Sequence, residues 1–541
     1  LLAMVLALVM TLSLAVSANA AFKDVKDIDE TYAESAAVLN GLGVFKGYEE
    51  KDGTFSFQPK NAITRAEVAA IVYRIYTGDV KDAYVKNYET YNKFGDMAGA
   101  GWAKGYIGYC ANAALVKGYP NGTFVPSGKV TGYEVLAMIL RAVGYDQKNE
   151  FTGADWALHV AEIAEQNKIL KNVKGVDLNA PATREVVAEL LFQSINVPMV
   201  TYTAAFGYQN VGLTADKKDS ILAKNETLGT KNFKLDCVTG YVTANDHGTK
   251  FKNMQIAGKN LAKEDDTVKV ADQDIFDAGR YGHVWTSKGS VITDVFYDDA
   301  LLSTSYAGTA IATLTTKKTG NSDYVADLAK ENMVVYNGNE TVAPTIFKGT
   351  EVAMYSIDGK TISSIIVVNP IVDRMEADYV VKGDEVKIQG VKYDKDEVSG
   401  YEDLVKGDVF TFVDMADGVR YYEELAPING QKTKYTIPTK DSAAPYITFA
   451  DKDYEQSGLS PDKQGSVSFR DTANLFSKDR TTFDKDATIY LDRGGYVAYT
   501  LATADVAKYA MVIDSYSVLG EKHNTIEYYV NLLLTDGTET G

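Results

Sequence analysis

Two arginines, Arg65 and Arg184, each stand directly behind a threonine at the start of an apolar run. A guanidinium presents a planar fork of donors matched to a carboxylate, and the unpaired amides of a helix N-terminus add further donors for an anion. The chemistry open to these positions is therefore capture of an acidic group. Around Arg65 the tetrad Thr64-Arg65-Ala66-Glu67 opens the run Val68, Ile71, Val72, Ile75. A threonine with a glutamate three residues on is a capping box, and the i, i+3, i+4, i+7 spacing makes one helix face apolar. Neither feature needs an arginine, and the helix dipole mildly disfavours a cation at the first helical position. The segment recurs as Thr131-Gly132-Tyr133-Glu134 and as Thr183-Arg184-Glu185-Val186. The second copy keeps the box and loses the arginine, whereas the third keeps the arginine and has Val186 where the box glutamate belongs. Capping and the arginine read as independent requirements. The arginine awaits either an acid from outside the chain or a carboxylate of a neighbouring segment.

The elements that must hold these tetrads form three helix–loop–helix segments between residue 21 and about residue 197. The first runs from Phe22-Lys23-Asp24-Val25 through a helix around Tyr32, then a loop with Gly47-Tyr48, Gly53-Thr54-Phe55 and Pro59. The second repeats this as Phe94-Gly95-Asp96-Met97, a helix from Trp102, and the loop Gly118-Tyr119-Pro120-Asn121-Gly122-Thr123-Phe124 with Pro126. The third has Trp156 at a helix start and a degenerate loop ending in Asn179-Ala180-Pro181. Segments this short cannot bury their apolar faces alone, so neighbours must stack. Three in a row predict a closed three-lobed unit with ligand clefts between lobes.

This ordered set of motifs resembles the S-layer homology domain, in three tandem copies at 21–78, 94–145 and 151–197, with 79–93 as a linker and 198–232 as a connector. The resemblance implies an all-α, pseudo-threefold anchor that binds a secondary polysaccharide of the Gram-positive cell wall through its pyruvylated terminal sugar. By position it points to Arg65 and Arg184 as carboxylate binders, to Tyr32, Trp102 and Trp156 as helix-start aromatics, and to Gly47 and Gly118 as loop glycines shaping the groove. An aromatic at a helix start also serves as plain core packing. Gly132 replaces the tetrad arginine of the second copy, and the third lacks the Gly-Tyr and Gly-Thr-Phe elements, so the three clefts should not bind equally.

At 541 residues the chain is too long for one ordinary domain. Its net charge of −18 argues against nucleic acid as a partner, because phosphate binding needs a basic face. Residues 1–20 are an apolar run ending in Ala18-Asn19-Ala20, a small-x-small cleavage pattern, and read as part of a secretory signal. No later run approaches the ~18 apolar residues of a spanning helix. Two cysteines, Cys110 and Cys237, are too few for a disulfide scaffold. The four histidines are scattered, with no zinc spacing or catalytic triad. Acidic runs such as Glu264-Asp265-Asp266 and Asp394-Lys395-Asp396-Glu397 could hold calcium but also read as solvated turns, so no cofactor is assigned.

From Phe233 the pattern becomes strand-like, with Val, Ile, Thr and Tyr alternating with charged residues between glycines. Four hairpins turn at Gly289, Gly359, Gly418 and Gly495, which suggests an array of small all-β modules at 233–300, 301–370, 371–430 and 431–541. A further strand, Ile526 to Leu534, meets Asp536-Gly537 with no visible return strand, which reads as a C-terminal truncation. The expectation is a multidomain, non-catalytic protein of the cell wall or S-layer, partnered with secondary cell-wall polysaccharide or peptidoglycan and with copies of itself. The alternatives are a wall-anchored glycan-degrading or peptidoglycan-modifying enzyme, or an adhesin.

Overall fold

The computed structural model describes residues 22–91, 93–211, 226–244, 254–258, 267–270, 275–308, 333–340, 346–416, 418–438, 444–459, 475–476, 483–502, 510–519, 526–534 and 539–540. The signal-like run 1–20 and the acidic run 264–266 lie outside them. The chain divides into two compact bodies, one of residues 1–300 and 356–364, the other of residues 301–355 and 365–541.

In the first body six helices follow the expected order: α1 Glu30–Gly41, α2 Arg65–Thr77, α3 Lys104–Asn112, α4 Gly132–Val143, α5 Trp156–Gln166 and α6 Arg184–Ile195. Capping boxes at Thr64/Glu67 and Thr131/Glu134 start α2 and α4, and left-handed Gly78 and Gly144 end them. At α6 the box is missing, as Val186 requires. Thr183 makes no cap bond, and its Oγ1 is buried with no hydrogen-bond partner among the described residues.

The residues just before the three tetrads join in a ring. The amide of Ile63 donates to the Ala182 carbonyl (3.1 Å), that of Ala182 to Val130 (2.9 Å), and that of Val130 to Ile63 (3.2 Å). One bridge flanks each contact, Ala62 with Thr183, Thr64 with Lys129 and Thr131 with Pro181. Segments far apart in sequence thus satisfy each other's backbone groups, and α2, α4 and α6 bury their apolar faces in one core behind the ring.

The stretch 79–93, expected as a linker, packs instead. Its 3-10 turn Val85–Tyr88 lays Tyr88 edge-on against Tyr109 of α3 (4.9 Å), and Asp82 receives Nε and Nη2 of Arg74 (2.8 and 3.0 Å). The end of the 198–232 connector, residues 226–232, is docked too. Leu228 is fully buried in the helical core, and Asn232 Nδ2 caps the last carbonyls of α2 at Ile75 and Tyr76 (2.8 and 3.0 Å).

A sheet then rests on the helices, with strands Leu235–Ala244, Met254–Gly258, Thr267–Val270, Tyr281–Ser287, Ser290–Val291 and Phe296–Tyr297. Trp285 Nε1 donates to Glu34 of α1 (2.7 Å), and the Trp285 ring meets Phe192 of α6 edge-on (5.2 Å). His283 has no spaced partner along the chain. In the fold it lies between Asp298 (2.8 Å) and Glu34 (3.1 Å), which outweigh its burial and raise its pKa to about 9.

The described residues of the second body form mainly β sheets. One sheet includes Lys348–Ser356 and Ser364–Val368, another includes Ile371–Arg374, Val409–Asp414 and Arg420–Glu424, and a third includes Pro427–Thr436, Tyr446–Phe449, Asp486–Leu491 and Val497–Ala502. Pro427–Thr436 pairs with Tyr446–Phe449 and Asp486–Leu491, both later in the chain. The four turn glycines all have positive φ, between 73° and 83°. Ile526–Leu534 does have a return strand: Glu539 and Thr540 pair with Leu533 and Leu532, and Ala510–Leu519 covers its other edge.

Candidate functional site

Both arginines are buried and bonded to groups of a neighbouring segment. Arg65 is 3% exposed and reaches into the loop of the second segment. Its Nε donates to the Phe124 carbonyl (2.8 Å), Nη2 to the Lys117 carbonyl (3.3 Å) and Nη1 to Glu134 (2.8 Å), with the rings of Tyr119 and Phe124 over the guanidinium at 4.6 and 4.8 Å. Tyr119 donates to the same Glu134 oxygen (2.8 Å). Arg65 is thereby consumed by the chain's own carbonyls and carboxylate.

Arg184, 2% exposed, does the same to the loop of the first segment. Nε donates to the Phe57 carbonyl (2.6 Å), Nη2 to the Lys46 carbonyl (3.1 Å) and Nη1 to the Tyr48 hydroxyl (3.0 Å). Tyr48 in turn donates to Glu67, which stands 3.7 Å from Nη1. Burial first, and Glu67 second, push the Tyr48 hydroxyl up to about 12. Burial alone would raise Glu67, but bonds from Thr64 and Tyr48 together with the charge of Arg184 hold its carboxyl below the usual range. Glu67 therefore closes the capping box and faces the arginine from the third tetrad.

The loops that receive the arginines are held by the Phe-x-Asp motifs. Asp24 accepts from the amides of Phe57 and Gln58 (both 2.7 Å), and Asp96 from those of Phe124 and Val125 (2.9 and 2.7 Å). Gln58 and Val125 are left-handed at φ 55° and 58°, so each aspartate clamps a reversed residue. Phe57 takes the place that Phe124 has in the second loop; Phe55 of the Gly-Thr-Phe motif is partly exposed on a short strand, Phe55–Ser56. Gly47 and Gly118 are glycines for want of space, since a Cβ at either would lie 2.5 Å from a ring carbon of Phe22 or Phe94.

At the remaining junction, a Cβ on Gly132 would lie 2.6 Å from Leu178. The second tetrad faces the degenerate loop of the third segment, and both halves of the socket are missing together.

Beside the Arg184 socket is a cleft of about 950 Å³. Ala66, Ala70 and Arg74 of α2 form one wall, Gly99 to Trp102 face them, and the turn with Ser127 and Lys129 closes one side. Lys46, Gly47, Tyr48 and Arg184 complete it. Four cations, Lys46, Arg74, Lys129 and Arg184, share this lining with one carboxylate, Glu67. Lys46 and Arg74 both reach Asp82, while Lys129 donates only to the Ala62 carbonyl (2.6 Å), with no carboxylate partner among the described residues. Trp102 stands at the rim, 63% exposed and edge-on to Tyr106. The arrangement can hold an anionic group beside a flat apolar ring face.

The fold thus gathers Gly47, Trp102 and Arg184 at one cleft. Arg65 and Gly118 lie in the other socket. Tyr32 is buried in the core and offers no open ring face, and Trp156 is partly buried against that core. Sequence reasoning missed Asp24, Asp96 and the second role of Glu67 and Glu134. The recurrence of Phe-x-Asp with each complete loop was the available signal. Among the described residues no group of three or more His, Cys, Asp or Glu could hold a metal ion, and no helix is long and apolar enough to cross a membrane. Neither cysteine is disulfide-bonded; Cys110 is buried and Cys237 half-buried.

The S-layer homology domain model matches residues 21–69 and 93–136. A middle cell wall protein of Brevibacillus brevis is 25% identical over 279 residues, 48% of this chain and 24% of its own length. A surface layer protein of Brevibacillus choshinensis is 30% identical over 22% of this chain and 10% of its own length. A cell surface protein of Thermoanaerobacter kivui is 30% identical over 34% of this chain and 23% of its own. The chain spans less than a quarter of the length of each of these relatives.

Proposed function

We propose that this secreted, cell-wall-associated protein, which carries S-layer homology domains, is held in the wall by a saccharide seated in the cleft beside Arg184. The helical region is then three such units, at 21–78, 94–145 and 151–197, set about a pseudo-threefold axis. The ring of amides through Ile63, Val130 and Ala182 supports that arrangement. The ligand is the acidic, pyruvylated end of a secondary cell-wall polysaccharide. Its ring lies on Trp102, and its carboxylate is held by Lys129 and Lys46 over the outer edge of Arg184. Gly47 keeps the loop backbone close. Arg65, fully engaged within the chain, serves assembly instead.

One observation carries this reading: a largely exposed tryptophan faces four cations across a floor of alanine methyls, in a protein whose net charge is −18. Local cations must overcome long-range repulsion to hold an anionic polymer, and here they converge. The β sheets that follow are the surface-exposed part, a non-catalytic array that associates with further copies into an S-layer or surface rod.

Sedimentation of the full chain with purified wall sacculi tests the anchor. Trp102→Ala and Lys129→Glu each alter exposed side chains, and each should weaken pelleting by about tenfold or more. Stripping the anionic polymer from the sacculi should abolish it. Equal pelleting of both variants and the parent would overturn the cleft as the site, and turnover of wall glycan by the full chain would overturn the non-catalytic reading.

A further inference from the structure

We propose that the helical region holds one acidic saccharide terminus per chain, because at the other two junctions the side chains fill the space or replace cation with carboxylate. This rests on the reading of the first cleft as the saccharide site. Three backbone bonds establish which residues correspond. The amide of Ala66 donates to Pro126 (3.0 Å), that of Tyr133 to Leu178 (3.2 Å) and that of Glu185 to Pro59 (3.2 Å). Ala66, Tyr133 and Glu185 therefore occupy the same place at the three junctions, and one helical turn on stand Ala70, Ala137 and Glu189.

Where the first junction has two methyl groups, the junction of the third segment with the first has two carboxylates. Glu185 is 5% exposed and receives Lys60 Nζ (2.7 and 2.9 Å) and the Asp29 amide (3.1 Å). Glu189, 1% exposed, receives Asn172 (2.8 Å) and Gln193 (2.9 Å). Tyr32, in the helix-start position of Trp102, is buried here. The space is filled, and its charge repels an acid. At the second junction, Tyr133 replaces Ala66 and Asp155 replaces Gly101 before the tryptophan. Pro181, bridged to Thr131, replaces Lys129, bridged to Thr64. A cation is lost, a carboxylate is gained, and an aromatic ring takes the methyl's place.

A chain with one site cannot cross-link two polymer strands, so strong attachment comes from many chains acting together. Calorimetric titration of the full chain with a pyruvylated monosaccharide decides the matter. The expected stoichiometry is about one. Ala70→Glu copies Glu189 into the open junction and should weaken binding about a hundredfold by placing like charge against the ligand. Glu189→Ala should leave stoichiometry and affinity as they are. A stoichiometry of two or three, or full binding by Ala70→Glu, overturns the single-site assignment while leaving the saccharide reading intact. The absence of any binding overturns the saccharide reading, and this count with it.

Discussion

The sockets of Arg65 and Arg184 receive the same donors at the same loop positions, yet they differ at one atom. Arg65 touches its glutamate directly at 2.8 Å, whereas Arg184 reaches Glu67 through Tyr48, with the carboxylate 3.7 Å away. The direct pair is closed, and the relayed one borders the cleft. Tyr48 and Arg184 are both among the residues that line the cleft, and Arg65 is not. The junction at Gly132 extends the lesson, for Gly132 faces a segment with no Gly-Tyr loop. Each arginine belongs to the loop of the next segment around the ring, not to the helix it begins.

The largest expected effect follows from burial. Removing one partner of a buried, hydrogen-bonded ion pair strands the other, at about 3–5 kcal/mol. Arg65→Ala should cost that much in urea unfolding, by leaving Glu134 and the carbonyls of Phe124 and Lys117 without their donor. Arg184→Ala should cost a comparable amount, followed by tryptophan fluorescence. An unchanged unfolding midpoint for either variant would break the equivalence of the two sockets. If Arg65→Ala still folds, its wall binding should persist, because Arg65 does not line the cleft.

This function of the arginines was hidden because two of the three groups each one meets are backbone carbonyls more than fifty residues away, and any residue type supplies a carbonyl. What could be read was local. Threonine and glutamate three apart gave both capping boxes, and Val186 foretold the bare Thr183. Glycines between alternating runs marked the four hairpins, since only a positive φ closes such turns without strain. Sheet partners were not legible, and the two-residue return strand Glu539–Thr540 is too short for any alternation to show. The docking of residues 79–91 and 226–232 was hidden as well, since Asp82 and Asn232 read as loop residues until Arg74 and the end of α2 lie opposite them. For the arginines, the usable clue was a joint absence: the tetrad without arginine precedes the segment without a complete loop.

Glutamate substitutions sharpen the comparison at intermediate size. Glu134→Gln neutralises a direct partner of Arg65 and should cost more than Glu67→Gln, where Tyr48 still accepts from Arg184; about 1–2 kcal/mol is expected for the latter. The two should also differ with pH. Glu67 has a folded pKa below its ordinary 4.5, so its contribution is present above about that pH and is lost as the pH falls. The parent and Glu67→Gln should therefore converge in stability between pH 5 and pH 3, read as thermal midpoints across that range. A constant gap would show that Glu67 acts through shape rather than charge.

The smallest difference separates the capping threonines. Thr64 accepts from the Glu67 amide and its hydroxyl donates to the Glu67 carboxylate (2.6 Å), so Thr64→Ala should cost about 1 kcal/mol. Thr183 begins a helix of nearly the same length on the same ring, but its hydroxyl is buried with no partner among the described residues. Thr183→Ala removes an unsatisfied polar atom and should be neutral or slightly stabilising. Equal losses at both positions in denaturant titrations would mean that Thr183 finds a partner in solution, most simply by turning toward its own helix amides. The third tetrad would then be capped like the others.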